Sequence, residues 1–314
     1  MKLQTQVPLK KAENQIDYSS RLVVLGSCFA NNIGDRLVYY KFRGLQNPFG
    51  ILFHPLAIEN LISRAIHQKQ YTEEEVFFLN ERWQCYDAHS DLSSVTKEEL
   101  LGSLNSGLLE TKLWLTKASH IFITLGTAWI YNLREIGKEV ANCHKVPQGA
   151  FQKQLLSIEK ISQSLEAIIH QILAVNAKAK IVFTVSPVRH LKDGFVENQL
   201  SKAHLISAVH QITKKGNAMY FPSYELMMDE LRDYRFYGND LVHPNDLAIH
   251  YIWEKFKSVW ISETSYKIMD EVAAVQKGLD HRPFNLESEK HKEFLKTLDK
   301  KTANLQKEYP FMKF

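Results

Sequence analysis

Five short apolar runs are spaced along the chain: residues 21–25 (RLVVL), a weaker run at 42–45, then 119–125 (SHIFITL), 180–186 (KIVFTVS) and 218–221. Their apolar residues are continuous rather than alternating, as in strands covered on both faces, and they predict five buried parallel strands. Between them apolar residues recur at helical spacing. Ala30, Ile33, Leu37 and Val38 form one such face behind the first run, and further helices are predicted over 55–67, 96–116, 151–175 and 200–214. Strands that alternate with helices imply an α/β fold, a three-layer doubly wound parallel sheet.

Two segments break the alternation. Residues 128–147 carry alternating apolar positions around Gly137, which predicts a β-hairpin inserted after the third main strand. Residues 70–95 form an irregular excursion rich in aromatic residues, with Trp83, Tyr86, Asp87 and His89. From about Ser262 the chain reads as charged helix, broken at residues 281–285 (HRPFN). No repeat or low-complexity linker separates the parts. The expected organisation is one domain over 1–262, with 263–314 as a C-terminal helical extension packed on it.

Composition narrows the function classes. The net charge of +4 comes from 39 basic and 35 acidic residues, too balanced to suggest a nucleic-acid or anionic-membrane partner. No apolar stretch approaches the ~18 residues needed to cross a bilayer. The N-terminal residues lack the apolar core of an export signal. The three cysteines, Cys28, Cys85 and Cys143, are an odd, low count that fits a reducing compartment. A cytoplasmic protein is expected, of an oligomeric state the sequence does not specify.

Two segments carry candidate chemistry. The first strand runs straight into Gly26-Ser27-Cys28-Phe29-Ala30 and a helix. A tight turn there sets a side chain at a helix N-terminus, where free amides and the helix dipole stabilise developing negative charge. Doubly wound sheets bind ligands at the carboxyl ends of their strands, so a nucleophile at this turn would be positioned and activated together. Small residues also serve such turns simply by letting helix pack on strand. Near the other end lies Asp240-Leu241-Val242-His243-Pro244-Asn245-Asp246, followed by a helix with Leu247, Tyr251, Ile252, Phe256 and Val259 on its apolar side. An aspartate three residues before the histidine can accept a bond from one ring nitrogen. The other nitrogen is then free to act as general base. The plainer role is a capping Asn245 or Asp246 beside a surface histidine.

These two blocks resemble a known family. Gly-Ser-Cys-Phe-Ala is the motif after which the GSCFA family is named, and that family is similar to the SGNH (GDSL-type) hydrolases, which have a flavodoxin-like sheet. The resemblance continues through Asn47-Pro48-Phe49-Gly50, Leu125-Gly126-Thr127, Asn142-Cys143-His144-Lys145 and Asp240 to Asn245, and residues 281–285 with the following tail look like bacterial members. It implies an acyl hydrolase or acyltransferase that acts on an ester or thioester through a covalent acyl-enzyme, without a cofactor. The substrate would be a small-molecule or glycan acyl ester. The alternative is a catalytically weak or inactive protein of the same fold that binds an acylated or carbohydrate ligand.

The SGNH pattern implies a role for each block. Asp240 and His243 match the base dyad. The Gly50 amide matches one oxyanion donor. The third block is usually Gly-x-Asn, but here it reads Gly126-Thr127-Ala128, so the Asn donor is missing. Loss of one such donor typically costs about 2.7–4 kcal/mol of transition-state stabilisation. In ungapped register with Gly-Asp-Ser, Ser27 stands at the Asp position and Cys28 at the nucleophile, with Gly34 supporting that register. Cys28 is therefore expected as nucleophile ahead of Ser27.

Other polar residues fall near the same strand ends. Hairpin alternation predicts Asn142 and His144 on one face of the return strand, with Cys143 on the other, and either could supply the missing polar group. Arg189 and His190 follow the fourth strand and could bind an acidic substrate group, or could be solvated charges. Asn47, Thr127 and His89 are further candidates for the cleft. Ser201 and Lys202 are read as capping residues that open a helix. No paired spacing supports a metal at Cys28, Cys143, His144 and His243, and none is expected.

Overall fold

The computed structural model describes residues 4–314. The chain opens with β1 (Arg21–Gly26), α1 (Cys28–Tyr39), β2 (Arg43–Gln46) and α2 (Pro55–His67). There follow the short strands β3 (Phe77–Leu79) and β4 (Arg82–Gln84), α3 (Lys97–Leu115), β5 (His120–Leu125), β6 (Trp129–Leu133), β7 (Lys138–Val140) and β8 (Phe151–Leu155). Next come α4 (Ile158–Val175), β9 (Lys180–Val185), α5 (Phe195–Thr213), β10 (Met219–Tyr220) and the short α6 (Ser223–Glu225). Three longer helices complete the chain: α7 (Asp246–Trp260), α8 (Tyr266–Leu279) and α9 (Glu289–Glu308).

β2, β1, β5, β9 and β10 form one parallel sheet in that spatial order, and they coincide with the five expected runs. The chain winds outward from β1 to β2, then returns to β5 on the other side of β1. The β1–β5 boundary is therefore the switch point where such sheets form a crevice at their carboxyl ends. Side chains alternate between two cores. Val23, Leu25, Ile121, Ile123, Ile181 and Phe183 face the layer of α2–α5. Leu22, Val24, Phe122 and Val182 face the layer that contains α1, α7 and α8.

Four expectations change in detail. The segment 151–155 is β8, not the start of a helix; α4 begins after Ser157, whose hydroxyl accepts the Lys160 N–H. With β6 and β7 it makes a three-stranded antiparallel sheet in the order β7-β6-β8, where a lone hairpin was expected. α5 begins at Phe195, not at residue 200. On α1 and α7, Val38 and Leu247 point outward and are exposed, whereas Ala30, Ile33, Leu37, Ile252 and Phe256 are buried.

The excursion at 70–95 docks on the small sheet, since Ala141 N–H donates to the Tyr86 carbonyl at 2.8 Å. Asp87, in the same excursion, is buried; its carboxylate meets Lys138 at 2.8 Å and Arg64 at 3.7 Å. The last helices share the second core, which includes Met269, Val272 and Val275 of α8 and Leu298 and Leu305 of α9. No described helix is long and apolar enough to cross a membrane.

Candidate active site

The turn between β1 and α1 is built around Gly26. Its φ of +125° lies in the left-handed half of the map, and a Cβ there would stand 2.0 Å from the Thr124 carbonyl oxygen of β5. Only glycine fits such an approach without strain. The Gly26 N–H donates to Asn47 Oδ1 at 2.8 Å, and Ser27 N–H donates to Thr124 O at 3.0 Å. This delivers Cys28 to the first turn of α1. Ser27 is fully buried behind it, and its hydroxyl is one of the buried polar atoms without a hydrogen-bond partner among the described residues. Burial raises the Cys28 thiol above its ordinary value, and Lys202 and the amides of Phe29 and Cys28 offset this only in part.

The glycines of the second and third blocks do not offer their amides to a ligand. Gly50 N–H donates to the Asn47 carbonyl at 2.8 Å, so the expected oxyanion donor is spent in its own turn. Asn47 is likewise committed: its carboxamide joins Gly26 N–H to Asn31 Oδ1, the latter at 2.7 Å. Asn47 therefore braces β1 against α1. His89 packs against Gly50, caps a short turn and pairs with Asp91 at 3.0 Å. Neither Asn47, Gly50 nor His89 lines the cleft described below. Gly126 N–H donates to the Phe53 carbonyl at 2.8 Å. Thr127 does border the cleft, with its hydroxyl 3.1 Å from that of Ser201.

The 240–245 loop is tightly specified. Asp240 Oδ2 accepts from His243 Nδ1 at 2.7 Å, and its Oδ1 accepts the N–H groups of Val242 and His243 at 2.9 and 3.0 Å. These bonds hold the Asp240 carboxyl well below the usual carboxylate range; the largest effect is the His243 N–H, then its ring, then the Val242 N–H. Asn245 caps α7 by accepting the Ala248 N–H at 3.1 Å. The Asp240–His243 hydrogen bond and the Asn245 cap thus coexist in one loop. The loop is tied to the end of β9, because Arg189 donates through its guanidinium to Leu241 O at 3.0 Å and through its N–H to Val242 O at 3.1 Å. The Arg189 guanidinium also lies over the rings of Phe195, Tyr234 and Tyr237.

These segments border one cleft of about 930 Å³, a size suited to a small organic ligand. Cys28 opens onto it, as do Asp240, His243, Arg189 and His190. Its apolar walls include Phe53, Trp129 and Tyr131, none of which the sequence reading had singled out. His54 also borders it, buried and fixed between the Ala57 N–H and the Val140 carbonyl. The Nε2 of His190 is buried without a partner among the described residues, 3.3 Å from where a Gly126 Cβ would be. Burial, then Lys202 and His243, drive the His190 pKa down to about 3, so the ring is neutral.

Asn142, Cys143 and His144 follow the return strand rather than lie on it, because β7 ends at Val140. Strand alternation therefore does not apply. Asn142 and Cys143 both line the cleft. Asn142 Oδ1 accepts the His144 N–H at 2.8 Å, which leaves the carboxamide nitrogen as the donor end. His144 turns away at φ +49° and is buried, with Nε2 2.7 Å from Cys85 O and Nδ1 3.3 Å from Ser90 Oγ. Its position is that of a packing residue.

Lys202 is the largest departure from the reading of capping residues. It sits inside α5 and is 1% exposed. Its ammonium nitrogen donates to the carbonyls of Gly126 at 2.7 Å and Ser186 at 2.8 Å, the residues just past β5 and β9. Ser201 likewise does not cap; its hydroxyl accepts the Ala128 N–H at 2.8 Å. Among the described residues, no group of three or more His, Cys, Asp or Glu side chains is arranged to hold a metal.

The fold and this site define an α/β protein with a cysteine and an Asp–His pair on one cleft at the switch point of its sheet. The chain belongs to the GSCFA family, whose sequence profile matches residues 21–256. Residues 272–314 match the profile of the C-terminal domain of GSCFA domain proteins. No curated protein is similar enough to count as a match.

Proposed function

We propose that the protein is an SGNH-like acyl-transfer enzyme that hydrolyses an ester or thioester, or passes its acyl group to another acceptor. The observation that carries this reading is that Cys28, at the N-terminus of α1, and the Asp240–His243 pair open onto one cleft. Cys28 is the nucleophile, and its attack makes a thioester acyl-enzyme. Asp240 accepts from Nδ1 of His243 and leaves Nε2 to take the Cys28 thiol proton, pass it to the leaving group and then take one from water or the acceptor. The amides at the start of α1 favour negative charge at this position. Asn142, which also lines the cleft, supplies a further polar donor. The complete burial of Ser27 supports Cys28 over Ser27. On this reading 1–262 is the catalytic domain and 263–314 its extension.

A second reading is favoured by one specific observation. The amides of Gly50 and Gly126 are already hydrogen-bonded, and Ala128 stands where SGNH enzymes carry Asn. A site short of oxyanion donors could bind an acylated or carbohydrate ligand without turning it over. A panel of p-nitrophenyl esters and acyl thioesters separates the two. The enzyme reading predicts turnover by wild type that is lost in Cys28→Ala and His243→Ala and largely kept in Ser27→Ala. Ligand binding without turnover in any protein supports the binder.

A further inference from the structure

The polar and apolar walls of the cleft come from different layers of the fold. Asp240 and His243 lie in the loop before α7, whose apolar face shares a core with α1. The apolar wall comes from the layer of α2–α5. Phe53 leads into α2, and Trp129 and Tyr131 stand on β6, whose intervening Ile130 is buried in the α2–α5 core. Strand alternation turns Trp129 and Tyr131 to the face away from Ile130. Val140 of β7, paired with Tyr131, extends the same wall.

This wall begins beside the turn that carries the candidate nucleophile, and it is preset. The Phe53 carbonyl accepts the N–H groups of Gly126 and Thr127 at 2.8 and 3.1 Å, and a Cβ on Gly126 would stand 3.2 Å from Ser27 Cβ, one residue before Cys28. The Trp129 indole N–H donates to Glu197 O at 3.2 Å, and Lys153 lies 4.5 Å over its ring while paired with Asp193 at 2.6 Å. Aromatic walls also suit a sugar ring, but sugar hydroxyls need partners, and leaving them without any inside a cleft is costly. The polar groups beside this wall are already engaged. Both ring nitrogens of His54 are bonded, the Thr127 hydroxyl meets Ser201 and the Trp129 N–H, and Asp193 is paired with Lys153.

We propose that Phe53, Trp129, Tyr131 and Val140 form the acyl site, and that the substrate carries a hydrocarbon acyl chain of medium length rather than an acetyl group. The assignment of the chain to the acyl side rests on the proposed acyl transfer. In that reaction the leaving group takes its proton from His243 and therefore points to the 240–245 loop, where Arg189 is also tied. The acyl chain takes the remaining wall, which starts at the Cys28 turn and offers it apolar surface. Each methylene placed there leaves water for an apolar contact, so selectivity rises with chain length until the wall ends.

Two isomeric thioesters test this: S-ethyl octanethioate and S-octyl ethanethioate, which differ only in the side of the reacting carbonyl that carries the long chain. Thiol release by wild type should show a kcat/KM at least about tenfold higher for the octanethioate. Trp129→Ala should lower that ratio at least about fivefold. Phe53→Ala, which keeps the main-chain bonds to Gly126 and Thr127, gives the same reading if Trp129→Ala does not fold. Equal rates with the two isomers, a preference for S-octyl ethanethioate, or a ratio that both variants keep would overturn the acyl site and leave the enzyme standing. If neither isomer is turned over, the enzyme reading fails and the acyl assignment falls with it. Calorimetry with sodium octanoate and sodium acetate then decides the apolar site by itself. Octanoate binding at least about tenfold tighter, and weakened in Trp129→Ala, sustains the site; equal affinities overturn it.

Discussion

His190 is kept neutral by its surroundings, and this has a measurable consequence for stability. Its pKa falls from the ordinary 6.5 to about 3 in the folded chain. Between those values the unfolded chain binds a proton that the folded chain does not, so this residue makes stability fall as pH drops from 6.5 towards 3. One proton corresponds to a slope of about 1.4 kcal/mol per pH unit. Urea unfolding at pH 4, 5 and 6.5 should show His190→Phe with a shallower loss than wild type by up to that amount; parallel curves would show that the ring is not held neutral. The residues after β7 divide in a similar testable way. Asn142→Ala should reduce turnover about tenfold, or ~1.4 kcal/mol, with little change in stability. His144→Ala should instead cost roughly 1–3 kcal/mol of stability, because it leaves the Cys85 carbonyl unpartnered. Equal turnover in Asn142→Ala and wild type would remove Asn142 from the site. Cys28, Asp240 and His243 were legible because each lies in a short local motif whose geometry follows from a strand–helix turn or an Asp–His loop. Lys202 was hidden only by the late start assigned to its helix. Once α5 begins at Phe195, Asn198, Ser201 and Lys202 fall on one stripe with Leu205, Ala208, Val209 and Ile212, all buried. A lysine on an apolar stripe is the signal that was there to be read.

At the scale of elements, the β1–α1 turn determines whether the site exists at all. Gly26→Ala forces a Cβ against the Thr124 carbonyl at positive φ, and should cost roughly 3 kcal/mol or more. Gly137, in the turn between β6 and β7, also has positive φ, at +63°, but open space around it. Gly137→Ala should cost only about 1 kcal/mol. Denaturant midpoints of the two variants check this ordering, and a Gly26→Ala protein as stable as Gly137→Ala would contradict the described turn. The central strands were legible because burial on both faces writes an uninterrupted apolar run. β8 was not: its FQKQL sequence neither alternates nor runs apolar, and it is a strand because β6 pairs with it from Trp129↔Leu155 to Leu133↔Phe151. Tertiary pairing overrode local pattern there.

For the molecule as a whole, the helices at the C-terminus share a core with the sheet. Tyr18 stacks on Phe42 at 4.4 Å between ring centroids and meets Tyr309 at 5.2 Å, while Arg43 lies over Phe311 at 4.6 Å. The chain should therefore melt in one cooperative step, and removal of residues 281–314 should lower the melting temperature by exposing Tyr18 and Phe42. Two separated transitions in calorimetry would show instead that the extension folds alone. The sequence marked this tail as helical but not where it docks, since its few core residues, Leu298, Leu305 and Met312, are scattered among charges. The central proposal is that Cys28 receives an acyl group. The direct measurement is peptide mass mapping after brief reaction of His243→Ala with p-nitrophenyl acetate or an acyl thioester, a variant in which the loss of the base slows hydrolysis of any adduct. An acyl group on Cys28 that neutral hydroxylamine removes, absent from Cys28→Ala, is the predicted result. An oxygen ester on Ser27, or no adduct while wild type still turns the substrate over, would contradict it.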